Sequence, residues 1–127
     1  MENENIHILV VDDERDLTEI LTGFLKNDLG YENVDMAFDG EQAINKLTEV
    51  SYDVVFLDIR MPKVDGFEVA KHVQKNYPDT KVIIITAFAD QKTKDYFEKN
   101  QIQIFDYIEK PFETYKIEAI LKRIFPD

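Results

Sequence analysis

A three-layer α/β sandwich, with one five-stranded parallel sheet covered by helices on both faces, is the fold this sequence predicts. Three observations predict it. Short apolar runs alternate along the whole chain with segments whose apolar residues fall at helical period, the pattern of repeated βα units. Two of the runs, Val54-Val55-Phe56-Leu57 and Val82-Ile83-Ile84-Ile85, are apolar at every position, which suits strands buried on both faces. At 127 residues the chain makes one domain, residues 1–127, able to bury roughly two-thirds of the surface its unfolded form exposes. Internal repeats and low-complexity linkers are absent.

Ile6 to Val11 reads as the first strand and runs directly into Asp12-Asp13-Glu14. Leu17, Ile20, Leu21, Phe24 and Leu25 then form a helical stripe, with Gly30 as the stop. Val34, Met36 and Phe38 alternate with Asp35 and Ala37 as in an edge strand with one wetter face, and Asp39-Gly40 turns the chain. Ala43, Ile44 and Leu47 mark a short second helix. The third strand, Val54 to Leu57, ends at Asp58, and Pro62 forces a turn before Asp65, the expected cap of a helix carrying Phe67, Ala70, Val73 and Tyr77.

The fourth strand ends at Thr86, in the position Asp58 holds after the third. Between Asp90 and Asn100 the chain is polar apart from Tyr96 and Phe97, so a loosely packed, movable helix is expected. Ile104 to Ile108 reads as the fifth strand, ending at Glu109-Lys110-Pro111, and Thr114 is the expected cap of a last helix with the stripe Ile117, Ile120, Leu121, Ile124 and Phe125.

Composition excludes several functions. Without cysteine there is no disulfide framework, thiol nucleophile or thiolate-held metal, and two histidines are too few for a histidine-based site. The net charge of −11, from 26 acidic and 15 basic residues, opposes direct binding to nucleic acid. No apolar run approaches a membrane span, and Met1-Glu2-Asn3-Glu4-Asn5 lacks the character of a signal peptide, so a cytoplasmic protein is expected.

The strand ends carry the chemistry. Parallel strands would place Asp12, Asp13, Asp58, Thr86 and Lys110 on one edge of the sheet, the edge where open α/β sheets bind ligands. Each has a plainer explanation alone: Asp58 or Asp12-Asp13 as a turn or helix cap, Thr86 as a turn residue, Lys110 as a solvated charge, Tyr107 as core. Their joint placement, one set per strand, is far less expected by chance. Three neighbouring carboxylates repel one another unless a cation sits among them, and an all-oxygen set suits Mg²⁺. Asp58 then has the chemistry of a carboxylate nucleophile accepting a phosphoryl group, with Lys110 and Thr86 stabilising its oxygens. A cis Lys110-Pro111 peptide would aim the lysine inward.

The segments Ile8-Leu9-Val10-Val11-Asp12-Asp13-Glu14, Asp39-Gly40-Glu41-Gln42-Ala43, Asp58-Ile59-Arg60-Met61-Pro62-Lys63-Val64-Asp65-Gly66, Ile85-Thr86-Ala87 and Asp106-Tyr107-Ile108-Glu109-Lys110-Pro111-Phe112 resemble those of a response-regulator receiver domain of two-component phosphorelay signalling. The likeness covers nearly the whole chain. It implies a flavodoxin-like (βα)5 fold with strand order 2-1-3-4-5 and Asp58 as phosphoacceptor from a sensor histidine kinase or a histidine phosphotransfer protein. It further implies Mg²⁺ on Asp12, Asp13, Asp58 and the backbone carbonyl of Arg60, a phosphate-contacting Lys110, and Thr86 with Tyr107 as the switch pair. The fourth helix, fifth strand and fifth helix would form the readout face toward an output domain or downstream protein, with a phosphorylation-dependent dimer among the arrangements such a face allows. By this likeness the chain is no enzyme, assisting only its own phosphorylation and dephosphorylation.

Where the family usually has a glycine-alanine pair before Asp106, this chain has Gln103-Ile104-Phe105, so a differently shaped loop is expected there. The bulk of Arg60 and Phe88 is expected to shield an acyl phosphate from water. An aspartate-nucleophile phosphatase of the haloacid-dehalogenase type is the alternative, but it wants an acid two residues after the nucleophile, where Arg60 stands, and a cap insertion that is missing. A flavin protein of this fold is disfavoured because Asp12-Asp13-Glu14 would repel the flavin phosphate.

Overall fold

The computed structural model describes residues 3–61, 64–87 and 89–126. Five parallel strands, β1 (His7–Val11), β2 (Asn33–Ala37), β3 (Val54–Leu57), β4 (Lys81–Thr86) and β5 (Asp106–Glu109), form one sheet in the order β2-β1-β3-β4-β5. The helices are α1 (Arg15–Gly23), α2 (Gly40–Glu49), α3 (Gly66–Asn76), α4 (Gln91–Lys99) and α5 (Thr114–Ile124). Successive residues of a strand point to opposite faces, so the fully apolar strands serve two cores at once. Leu9, Val11, Val55, Leu57, Val82 and Ile84 pack under α2, α3 and α4. Ile8, Val10, Val54, Phe56, Ile83 and Ile85 pack under α1 and α5. Among the described residues, no helix is long and apolar enough to cross a membrane.

Asp39 and Asp65 cap α2 and α3 with side-chain bonds to the amides of Gln42 and Glu68, at 2.8 and 3.1 Å. Gly40 and Gly66 follow these caps because no side chain fits: a Cβ on Gly40 would collide with the Val64 carbonyl, and one on Gly66 with the Asp58 carbonyl. Helix α3 is thereby seated directly on the loop that leaves β3.

Several expectations need correction. Ile20 is 65% exposed, while Thr18, Leu21, Thr22 and Leu25 turn inward. The buried stripe is shifted because the Thr18 hydroxyl donates to the carbonyls of Asp12 and Glu14, at 3.0 and 2.9 Å, and so tolerates the interior. Beyond Gly23 the helix widens into a π-helical segment, Phe24–Asp28, before Gly30 breaks it at φ +79°. In β2, Ala37 is fully buried, since this edge strand is covered on both faces. Thr114 is the first residue of α5; Glu113 holds the cap position, without a side-chain cap bond. Strand β5 begins at Asp106, leaving Ile104 and Phe105 in the preceding loop. That loop turns through Gln101 at φ +58° and is tied to α3 by the Gln103 amide bonding Gln74 Oε1 at 3.0 Å. The Pro62 turn and Phe88 lie outside the described residues.

Candidate functional site

Backbone ladders carry the site residues to one edge. Beyond the paired strands the Asp12 amide donates to the Ala37 carbonyl at 3.1 Å, the Asp58 amide to Val11 at 2.9 Å, and the Lys110 amide to Thr86 at 2.8 Å. Each residue therefore stands one rung past a strand end, fixed relative to its neighbour strand. Because helix direction reverses between β1 and β3, a crevice opens there, and into it point Asp12, Asp13 and Asp58. Carboxylate oxygens of the three lie within 4.8 Å of one another. Asp12 and Asp58 are buried and Asp13 is exposed, so the cluster has a closed floor and an open mouth.

Lys110 directly follows β5, and the Lys110-Pro111 peptide is cis. Its Nζ stands 2.8 Å from Asp12 Oδ2, 2.8 Å from Glu14 Oε1 and 3.6 Å from Asp58 Oδ2. One ammonium cannot neutralise this many acids. Burial above all, then the Asp12 charge, pushes the Asp58 carboxyl up to about 6 against the opposing pull of Lys110. Asp13 is also raised, by burial and then by Asp12. Burial pulls the Lys110 ammonium down, but its hydrogen bonds to Asp12 and Glu14 and the Asp58 charge outweigh that, leaving it above its ordinary value. An all-oxygen, over-charged cluster of this kind fits a hard divalent cation.

Thr86 is buried at the end of β4, and Arg60 and Thr86 both line an open recess of about 480 Å³ beside Asp13 that extends to Phe67 and Thr93. Tyr107 sits one layer behind. Its register opposite Ile84 puts it on the α3–α4 side of the sheet, the side Thr86 also faces by strand alternation. Its ring centroid is 6.2 Å from that of Phe97, and Lys94 Nζ lies 5.4 Å from it. Burial, then the nearby Glu98 charge, raises its phenol.

The structure thus brings together Asp12, Asp13, Asp58 and Lys110 in direct contact, and Arg60 and Thr86 around the same recess, with Tyr107 behind. Sequence reasoning gave Glu14 no role, yet it supplies one of the two shortest contacts to Lys110. Its position immediately after the acidic pair was the available signal.

Fold and site together define a flavodoxin-like (βα)5 protein with an acidic, lysine-bearing centre at its switch point. The profile of the response regulator receiver domain matches residues 8–122. The chain is 35% identical over 113 residues to a protein-glutamate methylesterase/protein-glutamine glutaminase of Koribacter versatilis, covering 89% of this chain and 31% of that protein. It is 36% identical to the transcriptional regulatory protein DltR of Streptococcus agalactiae, over 92% of this chain and 50% of the relative. The chain therefore spans half or less of the length of these two relatives. Among solved structures, chemotaxis protein CheY4 of Vibrio cholerae superimposes with a TM-score of 0.84 at 28% identity, covering 94% of this chain and 98% of that one. Response regulator TrrA of Thermotoga maritima, in complex with Mg²⁺ and beryllofluoride, does so with a TM-score of 0.78 at 33% identity, covering 94% and 98%. The chain belongs to the response-regulator receiver family of two-component signalling, whose domains are signalling modules.

Proposed function

We propose that residues 1–127 form one receiver domain, acting in the cytoplasm, that is switched by phosphorylation of Asp58. The observation that carries this reading is the grouping of Asp12, Asp13 and Asp58 oxygens within 4.8 Å, with Lys110 Nζ 3.6 Å from Asp58. Asp58 Oδ attacks the phosphorus of a phosphohistidine on a sensor histidine kinase or histidine phosphotransfer protein; the oxygen–phosphorus bond forms as the nitrogen–phosphorus bond breaks, and the imidazole leaves. Asp12, Asp13, Asp58 and the Arg60 carbonyl would hold Mg²⁺, which when bound supplies positive charge against the phosphoryl oxygens. Lys110 offers its ammonium and Thr86 its hydroxyl to the same oxygens. Drawing Thr86 toward the phosphoryl group leaves space that Tyr107, on the same side of the sheet, turns to fill. The surface of α4, β5 and α5 shifts with it and acts on an output domain, a downstream protein or a second copy in a phosphorylation-dependent dimer.

Incubation with acetyl phosphate and Mg²⁺, followed by intact mass, tests this. Wild type gains one phosphoryl group and Asp58→Asn gains none; no gain on wild type, or an equal gain on the variant, overturns the reading.

A further inference from the structure

Glu14 holds the cap position of α1 in extended backbone, at φ −80° and ψ 96°, where a side chain ordinarily bonds the first helical turn. Its carboxylate makes no such bond. It reaches instead across the sheet edge to Lys110, 96 positions away, at 2.8 Å. The stem is fixed by the Glu14 amide, which donates to Asp12 Oδ1 at 3.0 Å. The lysine ammonium has three protons to give. Asp12 and Glu14 each take one at 2.8 Å, while Asp58 Oδ2, at 3.6 Å, is out of hydrogen-bond reach.

We infer that Glu14 is a positioning residue: it tethers Lys110 short of Asp58, so that the third ammonium proton is kept for a phosphoryl oxygen and the nucleophile is not tied up in a close ion pair. The inference rests on reading Asp58 as the phosphoacceptor. Without the tether, the ammonium closes on the buried Asp58 carboxylate. That contact stabilises the resting nucleophile more than the transition state and slows phosphoryl acceptance. Charge alone predicts the opposite sign, because removing an acid from the mouth of the site makes an anionic donor's approach easier. The direction of the effect therefore separates the two.

The whole chain is used as wild type, Glu14→Gln and Asp16→Asn, the last removing one charge from the first turn of α1. Phosphorylation rates are followed over a range of acetyl phosphate concentrations with Mg²⁺. In Glu14→Gln the maximal rate falls about three- to fivefold, the range of a partly exposed ion pair, with no rise in the half-saturating concentration. Asp16→Asn matches wild type or exceeds it. In metal-free protein, the ¹⁵Nζ ammonium signal of Lys110 is sharp in wild type and broadened by water exchange in Glu14→Gln. A Glu14→Gln rate equal to or above wild type, or an equally sharp Lys110 signal, overturns the tether while leaving Asp58 as acceptor. If wild type itself takes no phosphoryl group, the acceptor reading and the tether fall together.

Discussion

Helices α3 and α4 are neighbours that begin alike and are anchored very differently. Both start at a capping aspartate, Asp65 bonding the Glu68 amide at 3.1 Å and Asp90 the Thr93 amide at 2.9 Å. Yet α3 buries Gly66, Val69, Ala70 and Val73, whereas α4 buries Phe97 alone. Phe97 is 1% exposed, so α4 is as sparsely packed as its polar sequence suggested and is hung on one plug. Phe67 of α3 clasps it from the side, with ring centroids 4.4 Å from Tyr96 and 5.0 Å from Phe97. If Asp58 is the acceptor and α4 belongs to the readout face, as proposed, the difference separates two tasks. The helix seated on Asp58 is held along its length, as chemistry needs, and the helix beside Tyr107 is held at one point, as a readout needs.

The largest effect that could break this comparison is Phe97→Ala. Losing a fully buried ring costs about 3–5 kcal/mol, read as a lower urea midpoint. Acceptance of a phosphoryl group by the remaining folded protein stays within about twofold of wild type, since the proposed acceptor lies on the α3 side. A collapse of acceptance would show that the two helices do not divide their tasks.

The second prediction concerns the charge stored at the anchored end. Asp58 binds its proton more tightly in the folded than in the unfolded chain, with its pKa raised from 3.8 to about 6. The folded state thus holds more protons across that window, and its stability falls as pH rises through it. Without Mg²⁺, the cost from Asp58 is fully present above about pH 7 and on the order of 3 kcal/mol. Asp58→Asn therefore stabilises the metal-free protein at pH 7.5, and this advantage shrinks at pH 4.5. Urea midpoints in a chelator at both pH values check this; an advantage independent of pH contradicts it.

The smallest effect uses the matched caps. Asp65→Ala and Asp90→Ala each lose about 1 kcal/mol of helix stability. Asp90→Ala speeds amide exchange in α4 alone and leaves the acceptor rate unchanged. Asp65→Ala slows acceptance as well, because α3 begins where the Gly66 amide donates to the Ile59 carbonyl at 2.8 Å.

Much of this was legible in the sequence because burial on two faces leaves an unmistakable mark. The runs ending at Asp12, Asp58 and Thr86 had to be central strands, and parallel strands bring their ends to one edge. The cap at Asp65 was readable from turn chemistry, which at Asp39-Gly40 gave the turn but not the cap bond to the Gln42 amide. The errors fall where a polar group is satisfied locally or an apolar one is left in solvent. Ile20 looked like core, but the Thr18 hydroxyl, bonded to carbonyls of its own helix entry, took the inward position. Ile104 and Phe105 have strand-like character, and the Phe105 amide already donates to the Val82 carbonyl of β4 at 2.8 Å, yet the paired register starts at Asp106. Glu14 escaped because its partner is 96 positions away, a relation fixed by strand order and not by any local pattern. Roles for Arg60 and Tyr107 came from family likeness, and the geometry alone would have ranked Glu14 above both.

The most direct test of the anchored and hinged halves is amide hydrogen exchange with Mg²⁺ and beryllofluoride, compared with Mg²⁺ alone. The account predicts altered exchange in Gln91–Lys99 and Asp106–Glu109 and unchanged exchange in Gly66–Asn76. Equal changes in α3 and α4, or changes confined to α3, would contradict it.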